Sequence, residues 1–254
     1  MERNGHLKGR HAIVTGGGTG IGLAIAQALA AQGAEVTITG RRLDVLEAEA
    51  GNGLHALQMD VSEEASVVDG MAAAVAARGP IQICVPNAGI AEGRALHKTD
   101  MDFWRQMMAI NVDGCFLTIR EALKSMHGTD WGRVVAVSSI AGLRGLKGGA
   151  CYTASKHAMV GMIRALAADY AGKPYTFNAL CPAYVDTNIV PQNIESIMKR
   201  TGMSEQEALQ VMVGANPHGR LITPEEVAEA ALFLCGEHSG SMNGHALQVS
   251  GGEM

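Results

Sequence analysis

The sequence of 254 residues is short of several features, and each shortage removes a class of function. It has no basic excess: 20 Lys and Arg stand against 25 Asp and Glu, a formal charge of −5, so a nucleic-acid partner that needs a basic footprint is not expected. No block of like charge is long enough to form a solvated tail. No apolar run approaches the roughly 18 residues of a membrane span. The opening Met1-Glu2-Arg3-Asn4-Gly5-His6 is polar, so no signal peptide is expected. Cys84, Cys115, Cys151, Cys181 and Cys235 are scattered without a C-x-x-C pair, which suits free thiols in a reducing, cytoplasmic compartment. The histidines form no H-E-x-x-H or Cys/His cluster, so no metal site is expected. Repeats, linkers and low-complexity stretches are also missing, and one domain over residues 1–254 is expected.

What the chain has is alternation. Short apolar strands are expected over 11–15, 35–39, 54–59, 81–85, 134–137, 175–181 and 245–249. Helical runs fall between them, over 23–31, 43–50, 63–77 with Ser62 as N-cap, 102–114, 116–126, 152–166 and 225–235. This order predicts an α/β, doubly wound Rossmann fold: a central parallel sheet of about seven strands with helices on both faces. Ligands of such sheets bind beyond the carboxyl ends of the strands. The segment 188–214 has apolar positions but weak periodicity; its place after that edge makes it a candidate substrate lid, with an ordinary connecting helix pair as the equal alternative.

The first strand runs into Gly16-Gly17-Gly18-Thr19-Gly20-Ile21-Gly22 and then a helix. Glycines there let backbone N–H groups approach a pyrophosphate, and the helix N-terminus favours the anion. No Lys follows the last glycine, so the stretch is not a P-loop. A dinucleotide with a free ribose 2′-hydroxyl would want Asp or Glu at the end of the second strand. This chain has Gly40-Arg41-Arg42 instead. Two arginines opening a helix oppose its dipole, at ~0.3–1 kcal/mol each. Gripping a 2′-phosphate with guanidinium geometry would account for them, which favours NADP(H) over NAD(H).

The chemistry concentrates between Ser138-Ser139 and Lys156. Tyr152 and Lys156 are four residues apart, so on a helix they share one face. An ammonium beside a phenol favours the phenolate; bringing tyrosine from about 10 to near 7 takes ~4 kcal/mol. Ser139 follows a buried strand, where its hydroxyl can meet that pair at the sheet edge. Alone, a Tyr-x-x-x-Lys pair is usually a solvated helix face. Asn111 within a helix is usually a surface or cap residue, and a functional role needs the helix to be locally distorted there.

Taken together, Thr15-Gly16-x-x-x-Gly20-Ile21-Gly22, Asp60-Val61, Asn87-Ala88-Gly89, Asn111, Ser139, Tyr152-x-x-x-Lys156 and Pro182-x-x-Val185-x-Thr187 resemble the short-chain dehydrogenase/reductase family over essentially the whole chain. The resemblance implies a catalytic tetrad of Asn111, Ser139, Tyr152 and Lys156, with Ser139 and Tyr152 touching the substrate. It implies cofactor contacts at Gly16, Gly18, Thr19, Gly20, Ile21, Arg41, Arg42, Asp60, Val61, Asn87, Ala88, Gly89, Tyr152, Lys156, Val185 and Thr187. In such an enzyme Tyr152 protonates a ketone oxygen, Ser139 polarises it, Lys156 lowers the Tyr152 pKa, and Asn111 anchors a proton-relaying water. Pro86 and Ala183 depart from the family's usual Asn and Gly.

The implied activity is hydride transfer between NADP(H), or NAD(H) as alternative, and a ketone or secondary alcohol. The lid segment resembles those of enzymes acting on 3-oxoacyl or 3-hydroxyacyl substrates, including NAD-dependent 3-hydroxy acid dehydrogenases. A carboxylate substrate would need a cation, for which Lys147, Lys199 and His218 are the candidates. Two other classes remain: an idle NADP(H)-binding sensor or scaffold, and a lyase or epimerase that returns the cofactor unchanged. The family also implies a homotetramer or homodimer; Met107, Met108, Met159 and Met162 suit subunit contacts, and ordinary core packing explains them equally well.

Overall fold

In the computed structural model, which describes residues 5–253, the apolar runs form seven strands. Residues Met1 to Asn4 of the polar opening, and Met254, lie outside the described residues. The strands are β1 (His11–Thr15), β2 (Glu35–Gly40), β3 (Leu54–Gln58), β4 (Ile81–Val85), β5 (Gly132–Val137), β6 (Tyr175–Pro182) and β7 (Ala246–Val249). All pair in parallel, in the order β3-β2-β1-β4-β5-β6-β7. β1, β5 and β6 are buried along their whole length, as strands covered on both faces must be. The winding reverses between β1 and β4, and a crevice opens there beyond the strand ends.

The helices are α1 (Gly20–Ala31), α2 (Leu43–Ala48), α3 (Glu64–Arg78), α4 (Met101–Met108), α5 (Gly114–Met126), α6 (Ala150–Asp169), α7 (Val190–Thr201), α8 (Glu205–Gly214) and α9 (Pro224–Leu234). Ile25 and Leu29 of α1 and Ala231 and Leu234 of α9 cover one face of the sheet. Met71, Ile119, Met159 and Ile163, from α3, α5 and α6, cover the other. No described helix is long and apolar enough to cross a membrane.

Several local features differ from the expectation. Ser62 does not cap α3: its hydroxyl donates to Asp60 Oδ1 at 2.7 Å, and Glu63 takes the cap position. α2 stops at Ala48 because the chain then turns through Gly51, Asn52 and Gly53, all at positive φ. α4 and α5 run on continuously, as expected, but through a π-helical turn over Ala109–Asp113 that carries Asn111. α6 extends past both expected ends, since no proline interrupts it. The segment 188–214 is, as its alternative reading had it, a helix pair, turned at Gly202 (φ 75°) and started again by a Ser204–Glu207 capping box. It has its own small core of Val190, Ile194, Ile197, Ala208 and Met212, which is why its pattern did not follow that of the sheet helices.

Candidate active site

The glycine turn is shaped by contacts that no side chain would allow. Gly16 and Gly20 have φ of 64° and 54°, the left-handed region. A Cβ on Gly22 would stand 2.3 Å from the Gly16 carbonyl oxygen, so α1 can start against the turn only with glycine there. Asn87 braces the turn from β4: its Nδ2 donates to the carbonyls of Thr15 (2.8 Å) and Gly16 (3.2 Å). Thr15 Oγ1 accepts from the backbone N–H of Asn87 and of Ala88. The Asn87 side chain is therefore a strut of the cleft.

Beside the turn lies a cavity of about 230 Å³. It is lined by Gly16, Gly18 and Thr19 of the turn, by Asp60, Val61, Ala88 and Gly89, and by Arg41 and Arg42. Both arginines are exposed, and neither guanidinium makes an ion pair with a described residue. The Arg41 carbonyl accepts from Gln58 Nε2 at 2.9 Å, which fixes the backbone while leaving the side chain free. Asp60 Oδ1 is taken by the N–H and hydroxyl of Ser62.

A second cavity of about 240 Å³ continues from Gly16, Thr19, Gly20 and Ile21 past Asn87 to Tyr152, Lys156 and Thr187. A third, about 210 Å³, is lined by Ser139 and Tyr152, Val185 and Thr187, and Ile189, Asn193 and Ile197 of the segment 188–214. Tyr152 borders both, so the three spaces form one cleft from the arginines to the serine.

Ser139, Tyr152 and Lys156 converge because β5 ends at Val137 and α6 returns over that end. Ser139 is extended (φ −170°, ψ 164°), and its Oγ accepts from the Ala141 N–H at 3.1 Å. Burial pushes the Tyr152 phenol above its usual pKa, against a lowering hydrogen bond with Ser139. Lys156 is 5% exposed, and burial draws its ammonium down to about 8. Its Nζ donates to the Val137 carbonyl at 3.0 Å and stands 5.8 Å from the Tyr152 ring centroid. The expected lowering of the phenol by Lys156 is thus not what this arrangement produces. The ammonium is turned to a carbonyl, and desolvation of the phenol dominates.

Asn111 lines none of the three cavities. It is fully buried behind Gly89, where an added Cβ would stand 3.1 Å from Asn111 Oδ1 and 3.7 Å from Lys156 Nζ. Its Oδ1 accepts from Ile90 N (2.9 Å), and its Nδ2 donates to Ile90 O (3.0 Å) and Ser155 Oγ (3.0 Å). A π-turn is the local distortion that lets a mid-helix side chain reach another segment's backbone. Ser138 and Ser155 were not singled out from sequence. Ser138 Oγ donates to the Lys156 carbonyl at 3.1 Å, and only its place beside Ser139 hints at it.

Of the three candidate anion anchors, Lys147 lines the serine-side cavity. Lys199 is held by Glu195 at 2.6 Å, and the His218 ring packs where a Cβ on Gly251 would meet it at 2.5 Å. The two departures are accommodated: the Pro86 carbonyl accepts from Val137 N at 2.8 Å, and Ala183 N donates to the Val249 carbonyl at 3.0 Å. Met107 and Met159 are core residues, 0% and 1% exposed, and Met162 packs on the same core as Met159, so packing within the chain accounts for these three.

Residues 16–253 match the family described as Enoyl-(Acyl carrier protein) reductase. The chain is 36% identical over 253 residues to a D-beta-hydroxybutyrate dehydrogenase of Cupriavidus necator, covering 97% of this chain and 98% of that one. It is 35% identical over 248 residues to an acetoacetyl-CoA reductase of Rhizobium meliloti, covering 96% and 98%. Among solved structures, it superposes on a variant of actinorhodin polyketide ketoreductase with NADPH with a TM-score of 0.92, at 32% identity and 96% coverage of both chains.

Proposed function

The chain belongs to the short-chain dehydrogenase/reductase family, and from that premise we propose that Ser139, Tyr152 and Lys156 carry hydride transfer between NADP(H) and a small ketone or its secondary alcohol. The observation that carries this reading is their convergence at one end of a cleft whose other end is a glycine turn and two arginines without an ion pair among the described residues. The cleft fits a dinucleotide. Gly16, Gly18, Thr19, Gly20 and Ile21 would hold the pyrophosphate against the start of α1. Asp60 and Val61 would border the adenine, and Arg41 and Arg42 the 2′-phosphate. Ala88, Gly89, Val185 and Thr187 would flank the nicotinamide, which when bound supplies or accepts the hydride.

The chain's own residues manage the proton. Tyr152, kept as a phenol by burial, is the acid for a ketone oxygen placed within its reach. The Ser139 hydroxyl donates to the same oxygen and favours the charge that develops there. Lys156 stands one helical turn behind, with Asn111 next to it across Gly89, as the relay that re-protonates the phenol.

The serine-side part of the cleft, where Ser139 and Tyr152 face Asn193 and Ile197, would hold the ketone. Lys147 on its wall would receive an anionic end. Relatives named for hydroxybutyrate and acetoacetyl-CoA support a 3-oxoacyl or 3-hydroxyacyl group. α7 and α8 act as the lid of one catalytic domain. Exposed Met101, Phe116 and Phe233 support assembly into a homodimer or homotetramer, and the free thiols support a cytoplasmic setting.

The test is to follow nicotinamide absorbance with NADPH and with NADH across a panel including acetoacetate, acetoacetyl thioesters and neutral ketones. Net, NADPH-preferring reduction is expected, and Arg41→Ala lowers the NADPH-to-NADH ratio by about tenfold or more. No net change in the cofactor with any substrate would point to the idle binder or the lyase. An unchanged ratio would refute the arginine assignment.

A further inference from the structure

We propose that Ser155 is a positioning residue for this reaction, acting through Asn111 to fix the Tyr152 turn of α6 against the loop that follows β4. The proposal rests on the reading that Tyr152 and Lys156 carry the chemistry. Ser155 lies between them on α6 and is fully buried. Its hydroxyl donates to the Tyr152 carbonyl at 2.7 Å, the back-bond usual for a mid-helix serine. What is unusual is the second bond: the same oxygen accepts Asn111 Nδ2 at 3.0 Å, from 44 residues earlier in the chain.

Asn111 is itself locked. Its amide pairs with both the N–H and the carbonyl of Ile90, so its orientation is set by the loop after β4. Ile90 borders the arginine-side cavity and the one containing Tyr152 and Lys156. Among the described residues, the Asn111–Ser155 bond is the only side-chain hydrogen bond between the Ala109–Asp113 turn and α6. From the other side, α6 is tied to β5 by Lys156 Nζ on the Val137 carbonyl and by Ser138 Oγ on the Lys156 carbonyl. The catalytic turn is therefore held from two directions, Lys156 by β5 and Tyr152 by the π-turn. Removing one hold lets the phenol drift relative to the loop. Misplacement of about 1 Å at reacting atoms costs up to ~10²-fold in rate.

Ser155→Ala leaves the Tyr152 carbonyl its ordinary helical partner and Asn111 its two bonds to Ile90, so the fold is retained. The experiment is a double-mutant cycle of Ser155→Ala and Asn111→Ala, with Asn111→Ser replacing the latter if it does not fold. Turnover, ketone KM and cofactor Kd by fluorescence are measured for each protein. Ser155→Ala is expected to lower kcat about tenfold, with KM and Kd within about twofold of wild type. The double variant is expected to be no slower than the Asn111 variant, since both changes remove the same bond. Wild-type kcat in Ser155→Ala, a loss confined to KM or Kd, or multiplicative losses in the double variant would each overturn the proposal. Tyr152→Phe run alongside separates the two levels. Turnover retained there sinks the underlying reading, whereas turnover lost there but kept in Ser155→Ala sinks the positioning role alone.

Discussion

At the residue scale, Tyr152 is held between burial, which favours the phenol, and the Ser139 hydrogen bond, which favours the phenolate. Burial is the larger effect, so the folded pKa lies above the ordinary 10. Ultraviolet difference titration of the cofactor-free protein, with Tyr152→Phe as the blank, is expected to show this residue less than half ionised at pH 10. A phenolate signal near pH 7 would mean that Lys156 dominates after all. The ammonium's own titration near pH 8 places its proton loss just above neutrality, where a relay is useful. Helical spacing and position after a strand put Tyr152, Lys156 and Ser139 within reach of one another, and the resemblance singled them out from an ordinary solvated helix face. Ser155 was not legible from sequence, because its role depends on a bond that joins positions 44 apart. The direction of the tyrosine shift was equally hidden: sequence shows the neighbouring charge, while burial appears only when the chain is folded.

At the element scale, the α7–α8 pair has a core separate from the sheet. Met212, 1% exposed, packs there with Ile194, Ile197 and Ala208. Met→Ala in a core typically costs ~2–5 kcal/mol, and in this position the loss falls on a small unit rather than on the whole fold. Met212→Ala is expected to raise ketone KM by about threefold or more while cofactor Kd stays within about twofold, measured by steady-state kinetics and fluorescence titration. Equal weakening of both would show that α7 and α8 serve the entire cleft. The seven parallel strands and the helices that flank them followed from apolar alternation, and the glycine turn from its glycines, while the order of the strands across the sheet emerged only in the fold. The π-turn did not: Asn111 in an otherwise regular helical run identifies a possible distortion, but only the paired bonds to Ile90 select it.

At the scale of the whole molecule, His11 links pH to stability from the edge of the sheet opposite the cleft. It is 2% exposed on β1, with Nδ1 donating to the Gly79 carbonyl at 2.9 Å and Nε2 against Thr37 Oγ1 at 2.9 Å. Burial depresses its pKa below 6.5, so the unfolded chain binds the proton first. Its contribution is complete above pH 6.5 and is lost as pH falls through the lower folded value. Urea midpoints are expected to fall on acidification from pH 7 to 5, and to fall less steeply in His11→Gln. Parallel pH profiles in the two proteins would assign the acid limb to other groups.

The central claim, that a phenol, an ammonium and a hydroxyl meet at the rim of the sheet to move a proton during hydride transfer, is tested most directly by kcat and cofactor Kd of Tyr152→Phe on a ketone that the wild type reduces. The expected result is a loss of at least ~10²-fold in kcat with Kd nearly unchanged. Turnover near the wild-type rate would contradict the claim.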